Sequence, residues 1–193
     1  MAKKRAKQFS INVQPLRTKD DIDDMKVTLR HMNMGDRNQL LFLIGINTGL
    51  RCSDIVCLKV ETAKQDTPII REIKTGKMRQ VSFVGLRTRI QEYIQETGLS
   101  DDDWLFPSRK GNSHITRNGV YRFLSVAAEQ LGRNDIGTHT MRKTYGYWFY
   151  KKFGDVRSLM VDFGHASQEI TLHYIGITQD EVLSKKQQLL IGL

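Results

Sequence analysis

The sequence has few cysteines, the residues that stabilise small folds through disulfides or zinc sites. Its 2 cysteines, Cys52 and Cys57, lie five positions apart among 193 residues. That spacing matches neither a disulfide scaffold nor a zinc framework, and it favours a reducing compartment. Long apolar runs are also lacking, because the longest covers only residues 40–46, whereas a membrane span needs about 20. No apolar segment follows the basic N-terminus, so no signal peptide is predicted.

Acidic residues are also fewer than basic residues. The chain has 30 Lys and Arg against 21 Asp and Glu, a net charge of +9 and a pI of about 9.6. Such an excess indicates a polyanionic partner, either nucleic acid or an anionic membrane surface. The membrane surface is disfavoured because no predicted helix is strongly basic on one face and aromatic on the other. We therefore expect a nucleic acid as the partner and no membrane association.

The chain organisation is simple, because neither an internal repeat nor a Pro/Gly-rich linker interrupts it. A chain of 22.3 kDa buries roughly 70% of its unfolded surface, enough for one core. We predict a basic arm over residues 1–18, which would be a solvated tail or lie on phosphates. Residues 19–193 are predicted to form one domain.

Helical periodicity dominates that domain, and one stretch breaks it. Helices are predicted over about 36–49, 53–58, 90–98, 117–131, 139–152, 155–163 and 167–174, with a final helix after Thr178. Residues 68–74 and 79–83 are instead β-rich, and they flank a turn signal at 75–77. The predicted fold class is mainly α with a small antiparallel β-hairpin (α+β).

Several motifs gain meaning only in combination, since each of their residues is most often an ordinary surface or packing residue. They are Thr48-Gly-Leu-Arg51, the segment Lys74–Val81, Trp104-Leu-Phe-Pro-Ser108, His139-Thr-Met-Arg142, and Phe163-Gly-His165 followed by Tyr174. Their order and spacing, from about residue 20 to 180, resemble the catalytic domain of the tyrosine recombinase (phage integrase) family. The resemblance implies the fold of that domain and an enzyme that cleaves and rejoins DNA at specific sites through a 3′-phosphotyrosyl intermediate.

The resemblance also implies a role for each matched residue. Tyr174 would be the nucleophile, Arg51 and Arg142 would bind the phosphate oxygens, Lys74 would be the general acid, His139 a base or proton carrier, His165 a phosphate hydrogen-bond donor, and Asp54 an orienting residue behind them. The chemistry suits these residue types. Guanidinium groups bind phosphate oxygens bidentately and stay charged, and a tyrosine with an ordinary pKa near 10 needs cations and a base to attack. The family uses no metal, ATP or other cofactor, and none is predicted.

A DNA surface is predicted next to this site. Its candidate residues are Arg109, Lys110, Arg117, Tyr121 and Arg122, for each of which a solvated basic face is the alternative. The family resemblance further implies a homotetramer on DNA, accessory DNA-bending proteins and a cytoplasmic, nucleoid-associated location.

Some alternatives stay open. One alternative is a DNA-binding regulator with the same fold that has lost catalysis, and another is a relative of type IB topoisomerases, with the same chemistry but no partner exchange. Lys77 competes with Lys74 for the acid role, and Lys143 stands where the family often has His or Arg. Residues 1–18 are too short for the family's N-terminal core-binding domain, which implies a short recombinase or a fragment. The apolar C-terminus would dock on a neighbouring protomer or on its own core.

Overall fold

A computed structural model describes residues 12–109 and 111–177, together with Gln187. Its helices in these ranges are α1 Lys19–His31, α2 Gly35–Thr48, α3 Cys52–Val56, α4 Val60–Ala63, α5 Arg87–Thr97, α6 Arg117–Gln130, α7 Thr138–Phe153, α8 Val156–Phe163 and α9 Gln168–Tyr174, and its strands are β1 Ile69–Arg71 and β2 Met78–Gln80. A short 3-10 turn, Val84–Leu86, precedes α5. This architecture confirms the predicted fold class. In this part of the chain no helix is long and apolar enough to cross a membrane.

The predicted hairpin is present, but its strands are shorter than the sequence pattern suggested. β1 and β2 pair antiparallel with Ile70 opposite Arg79. The Glu72 amide donates to the Lys77 carbonyl (2.9 Å), and the Gly76 amide donates to the Glu72 carbonyl (2.8 Å), so the chain turns directly after β1. Lys74 therefore lies inside the turn, where the prediction had it at the end of a strand.

Helix starts follow the capping signals in the second half of the chain. Asp155 caps α8 through the amide of Ser158, and Ser167 caps α9 through the amide of Ile170, as predicted. The predicted start of α3 at Ser53 is wrong by two residues, because the backbone of Arg51 is the N-cap. Placing Arg51 at a helix N-terminus fixes its backbone beside the end of α2.

The N-terminal segment differs from the predicted arm. Residues 12–17 lie against α7, where the Leu16 amide donates to Thr144 Oγ1 (2.9 Å) and Trp148 Nε1 donates to the Leu16 carbonyl (2.9 Å). The Leu16 side chain is fully buried. The packed structure thus begins within the predicted arm. Residues 1–11 of that arm lie outside the described residues, and so does the helix predicted after Thr178.

Two apolar clusters hold the site between them. The larger cluster packs α2 against α1, α5 and α7, and α6 against α1, α3 and α7. The smaller cluster joins α7, α8 and the end of α9, and its buried members are Tyr147, Leu159, Phe163, Ile175 and Ile177. Because α9 packs through this second cluster, the fold places Tyr174 beside α7 and α8.

Candidate active site

Arg142 forms the floor of the site. Its guanidinium is held by three contacts: it donates to the Gly49 carbonyl after α2 and to the Asp162 carbonyl of α8 (3.1 Å for the latter), and it stacks on Phe163 of α8, 4.5 Å from the ring centre. The residue is only 4% exposed. Burial, together with repulsion from Arg51, lowers the pKa of Arg142 to about 10. Arg142 therefore remains a cation at neutral pH, in a fixed orientation.

The Arg51 guanidinium contacts the same end of α8 as the Arg142 guanidinium. Its Nη2 donates to the Phe163 carbonyl (3.5 Å), one residue from the carbonyl that Arg142 contacts, and its Nη1 lies 2.6 Å from Glu72 Oε2. Two guanidiniums that converge on the end of α8 create a site for an oxyanion. The structure thus brings together the two arginines that the sequence had placed in separate motifs.

Tyr174 points its hydroxyl at this cationic centre. The hydroxyl lies 3.2 Å from His139 Nδ1, and the ring packs edge-on against Phe163 and His165, with centroid distances of 5.4 and 5.1 Å. Burial raises the pKa of Tyr174, and the nearby Arg142 and Arg51 oppose that shift. In the absence of DNA the phenol therefore stays protonated and needs a proton acceptor to react.

His139 is placed to be that acceptor. Desolvation of its ring lowers the pKa of His139, and Arg142, Lys143, Arg117 and Lys74 lower it further by repulsion. The imidazole is accordingly neutral at pH 7. With its proton on Nε2, its Nδ1 accepts the hydrogen bond of the Tyr174 hydroxyl.

His165 lies on the other side of the tyrosine ring. Its Nδ1 contacts Thr171 Oγ1 (3.1 Å), which itself donates to the Ser167 carbonyl (3.0 Å). The hydroxyl lone pair thus receives the Nδ1 proton of His165, and Nε2 is left to face a ligand. Burial and the two site arginines lower the pKa of His165.

Asp54 anchors the backbone of the hairpin turn that carries Lys74. Asp54 is 2% exposed, and its Oδ1 accepts a hydrogen bond from the amide of Ile73 (3.0 Å). Lys74 follows with an exposed side chain, and its ammonium is one of the cations acting on His139. Lys77, its competitor, is also exposed at the far end of the turn.

Sequence reasoning missed a set of polar groups behind the site. Arg79 donates to the Thr48 carbonyl (2.7 Å) and to the Gly49 carbonyl (3.2 Å), and it pairs with Asp162 (3.2 Å). Glu72 pairs with Arg51. Neither Arg79 nor Glu72 stands out in the sequence, since charged residues in a short hairpin are most often solvated.

The predicted DNA surface lies along the start of α6. Arg117, Tyr121 and Arg122 are exposed there, opposite the buried side of the helix, and Arg109 is exposed in the preceding loop. Lys110 lies outside the described residues. Because Arg117 is close enough to lower the pKa of His139, the start of α6 borders the site.

Metal ligands are not clustered here. Among the residues that the structure describes, no group of three His, Cys, Asp or Glu side chains has a geometry that would hold a metal ion.

Comparison with known proteins identifies the class of this fold and site. Residues 17–181 match the phage integrase family. The chain is 38% identical over 170 residues to the probable integrase/recombinase YoeC of Bacillus subtilis, covering 87% of this chain and 92% of YoeC. It is 29% identical over 160 residues to the tyrosine recombinase XerC of Herpetosiphon aurantiacus, covering 79% of this chain but 52% of XerC.

Solved structures share the fold. The XerH recombinase in a post-cleavage complex with difH DNA matches with a TM-score of 0.72 at 20% identity, over 90% of this chain and 52% of XerH. The XerA recombinase matches with a TM-score of 0.72 at 19% identity, over 91% of this chain and 65% of XerA. The protein belongs to the phage integrase family, whose relatives here are tyrosine recombinases.

Proposed function

We propose that this protein is a site-specific DNA recombinase that cleaves and rejoins double-stranded DNA through a covalent bond to Tyr174. The observation that carries the proposal is the Tyr174 hydroxyl, 3.2 Å from the neutral His139 and beside two guanidiniums held on the end of α8. A nucleophile, a proton acceptor and a fixed oxyanion site are the parts that phosphoryl transfer requires.

In the proposed cleavage step, a bond from Tyr174 to phosphorus replaces the bond from phosphorus to the 5′ oxygen. The Tyr174 oxygen attacks phosphorus and passes its proton to His139 Nδ1. The bond from phosphorus to the 5′ oxygen breaks, and that oxygen takes a proton from the Lys74 ammonium. Arg51 and Arg142 neutralise the non-bridging oxygens, and His165 donates to one of them from Nε2 in its doubly protonated form. The products are a 3′-phosphotyrosine and a free 5′ hydroxyl, and attack by a 5′ hydroxyl of a partner strand reverses the step.

The wider assembly is part of the same proposal. The chain spans nearly all of YoeC but about half of XerC, and we assign residues 19–193 to the catalytic domain. By analogy with recombinases in complex with DNA, including a lambda integrase dimer on a core site, DNA would contact Arg109, Lys110, Arg117, Tyr121 and Arg122. Exchange of strands between two sites calls for four active sites, hence a homotetramer, with DNA-bending accessory proteins and a place on the nucleoid.

The first step of the test is to select a DNA target sequence. The protein is incubated with a library of randomised duplexes carrying nicks, and adducts that survive denaturation are recovered and sequenced. A nicked suicide substrate built from the recovered sequence then measures cleavage. We expect an adduct with the unaltered protein and with Tyr150→Phe, which removes a phenol from α7, and none with Tyr174→Phe.

Other outcomes would overturn the proposal. Specific binding without an adduct would make the protein a DNA-binding regulator, although the presence of all six predicted side chains favours an active site. Relaxation of supercoils on arbitrary DNA, without exchange between sites, would indicate a topoisomerase-like activity.

A further inference from the structure

We propose that Glu72 is a positioning residue that fixes the Lys74 turn against Arg51. The inference rests on the proposed function, because it assigns to Glu72 the placement of the general acid relative to the phosphate-binding arginine. It concerns a second buried carboxylate of the site, beside Asp54, that the sequence motifs did not identify.

The Glu72 side chain is held from two directions. Its Oε2 accepts a hydrogen bond from Thr75 Oγ1 (2.6 Å) and lies 2.6 Å from Arg51 Nη1. The residue is only 5% exposed. One oxygen thus joins a turn residue that follows Lys74 to an arginine at the N-terminus of α3.

The backbone of the same turn is tied to α3 independently. The Ile73 amide donates to the buried carboxylate of Asp54 (3.0 Å). The carbonyl and amide of Glu72 close the turn onto Gly76 and Lys77. Lys74 therefore lies between anchored neighbours, and only its exposed side chain is left free to reach a leaving oxygen.

The ionised state of Glu72 suits a residue that holds Arg51 in position and not one that donates a proton. Burial opposes ionisation, but hydrogen bonds from Thr75 and Arg51 outweigh it and lower the pKa of Glu72. An ionised carboxylate that is buried and paired is costly to separate from its partner. We therefore expect Glu72 to stay on Arg51 when a phosphate binds the remaining donors of the guanidinium.

The consequence for catalysis is geometric. A general acid works only within hydrogen-bond reach of the atom it protonates, and a displacement of about 1 Å costs roughly 100-fold in rate. Loss of the Glu72 brace should thus slow cleavage about 10- to 100-fold while DNA binding stays within about twofold.

The experiment uses two suicide substrates, one with the normal 5′-bridging oxygen and one with sulfur in its place. A thiolate leaves without a proton, so a substrate with bridging sulfur bypasses the general acid. Glu72→Gln and Glu72→Ala are compared with Lys74→Ala, Arg51→Ala and the surface control Glu96→Gln. We expect the sulfur substrate to restore cleavage by both Glu72 variants and by Lys74→Ala, but not by Arg51→Ala.

Hydrogen exchange of the turn amides, measured without DNA, gives a readout independent of cleavage. We expect faster exchange at residues 73–77 in Glu72→Gln, with the melting temperature nearly unchanged. Unaltered exchange would overturn the assignment, and so would slow cleavage that the substrate with bridging sulfur does not restore. Faster cleavage by Glu72→Gln would also overturn it, because Glu72 would then compete with the phosphate for Arg51. Absence of any adduct from the unaltered protein on either substrate would instead overturn the proposed function.

Discussion

Among single residues, His139 decides the protonation state in which the site reacts. It must be neutral to accept the Tyr174 proton, and its environment lowers its pKa below the ordinary value of 6.5. The neutral form thus predominates at pH 6.5 and above and is lost as the pH falls through the lowered pKa. We predict that single-turnover cleavage is flat near neutrality and declines in acid.

The matched variant for this prediction is His139→Gln, which keeps a hydrogen-bonding side chain that does not titrate. Its cleavage, measured from pH 5 to 8, should be slower by about 10²–10⁴ and should lack the decline in acid. An unchanged acidic decline in this variant would assign the titration to another group, such as His165.

Arg142 tests the requirement for a planar cation. Its guanidinium donates to the carbonyls of Gly49 and Asp162 while it faces Tyr174, and an ammonium cannot keep that geometry. We predict that Arg142→Lys loses about 10²–10³ in cleavage rate on the suicide substrate. Arg89→Lys, exposed on α5 and paired with Glu92, should cleave at close to the normal rate. Near-normal cleavage by Arg142→Lys would show that charge alone suffices.

At the scale of elements, the contact between α7 and α9 sets the position of the nucleophile. A Cβ on Gly146 would lie 2.5 Å from the Ile175 side chain and 2.8 Å from the Phe163 ring, so these side chains, or the ends of α8 and α9 that carry them, must shift. We predict that Gly146→Ala costs about 1–3 kcal/mol in stability and slows cleavage more than it weakens DNA binding. Gly85→Ala, where a Cβ meets open space, is the control. Full cleavage activity in Gly146→Ala would show that α9 tolerates the displacement.

The elements also show what the sequence made predictable. Asp155 and Ser167 carry local capping signals, so the starts of α8 and α9 follow from a few neighbouring residues. α1 also carries a capping signal, at Thr18, but its apolar side places only Met25 and Leu29 fully in the core, and it was not predicted. Local signals determine helix ends well where a side chain caps the backbone, and poorly where tertiary packing decides.

The same distinction separates the site residues. The motif residues such as Arg51 and Tyr174 were identified from order and spacing, and the structure brings them together. Arg79 and Glu72 were missed because their importance depends on partners far along the chain: Asp162 for Arg79, and Arg51 for Glu72. Pairings across about 20 to 80 positions leave no pattern in one sequence, and only the fold reveals them.

For the whole molecule, the N-terminal segment contributes to stability as well as charge. Leu16 is fully buried, and Arg17 donates to the Gly176 carbonyl just after α9 (2.8 Å). We predict that Leu16→Ala lowers the free energy of unfolding by about 2–5 kcal/mol, measured by urea denaturation. Val27→Ala, at a side chain that is 55% exposed, should change it little. Equal stability of the two variants would contradict the packing of this segment.

The net charge of +9 makes a prediction about the DNA complex as a whole. Each phosphate that a Lys or Arg neutralises releases counterions, so the logarithm of the binding constant should fall linearly with that of the salt concentration. Arg117→Ala and Arg122→Ala should each reduce the slope by about one. Arg89→Ala, on α5 in an ion pair with Glu92, should leave the slope unchanged. Slopes unaffected by both α6 variants would mean that these arginines lie in solvent, and the DNA surface would then have to be sought on another face.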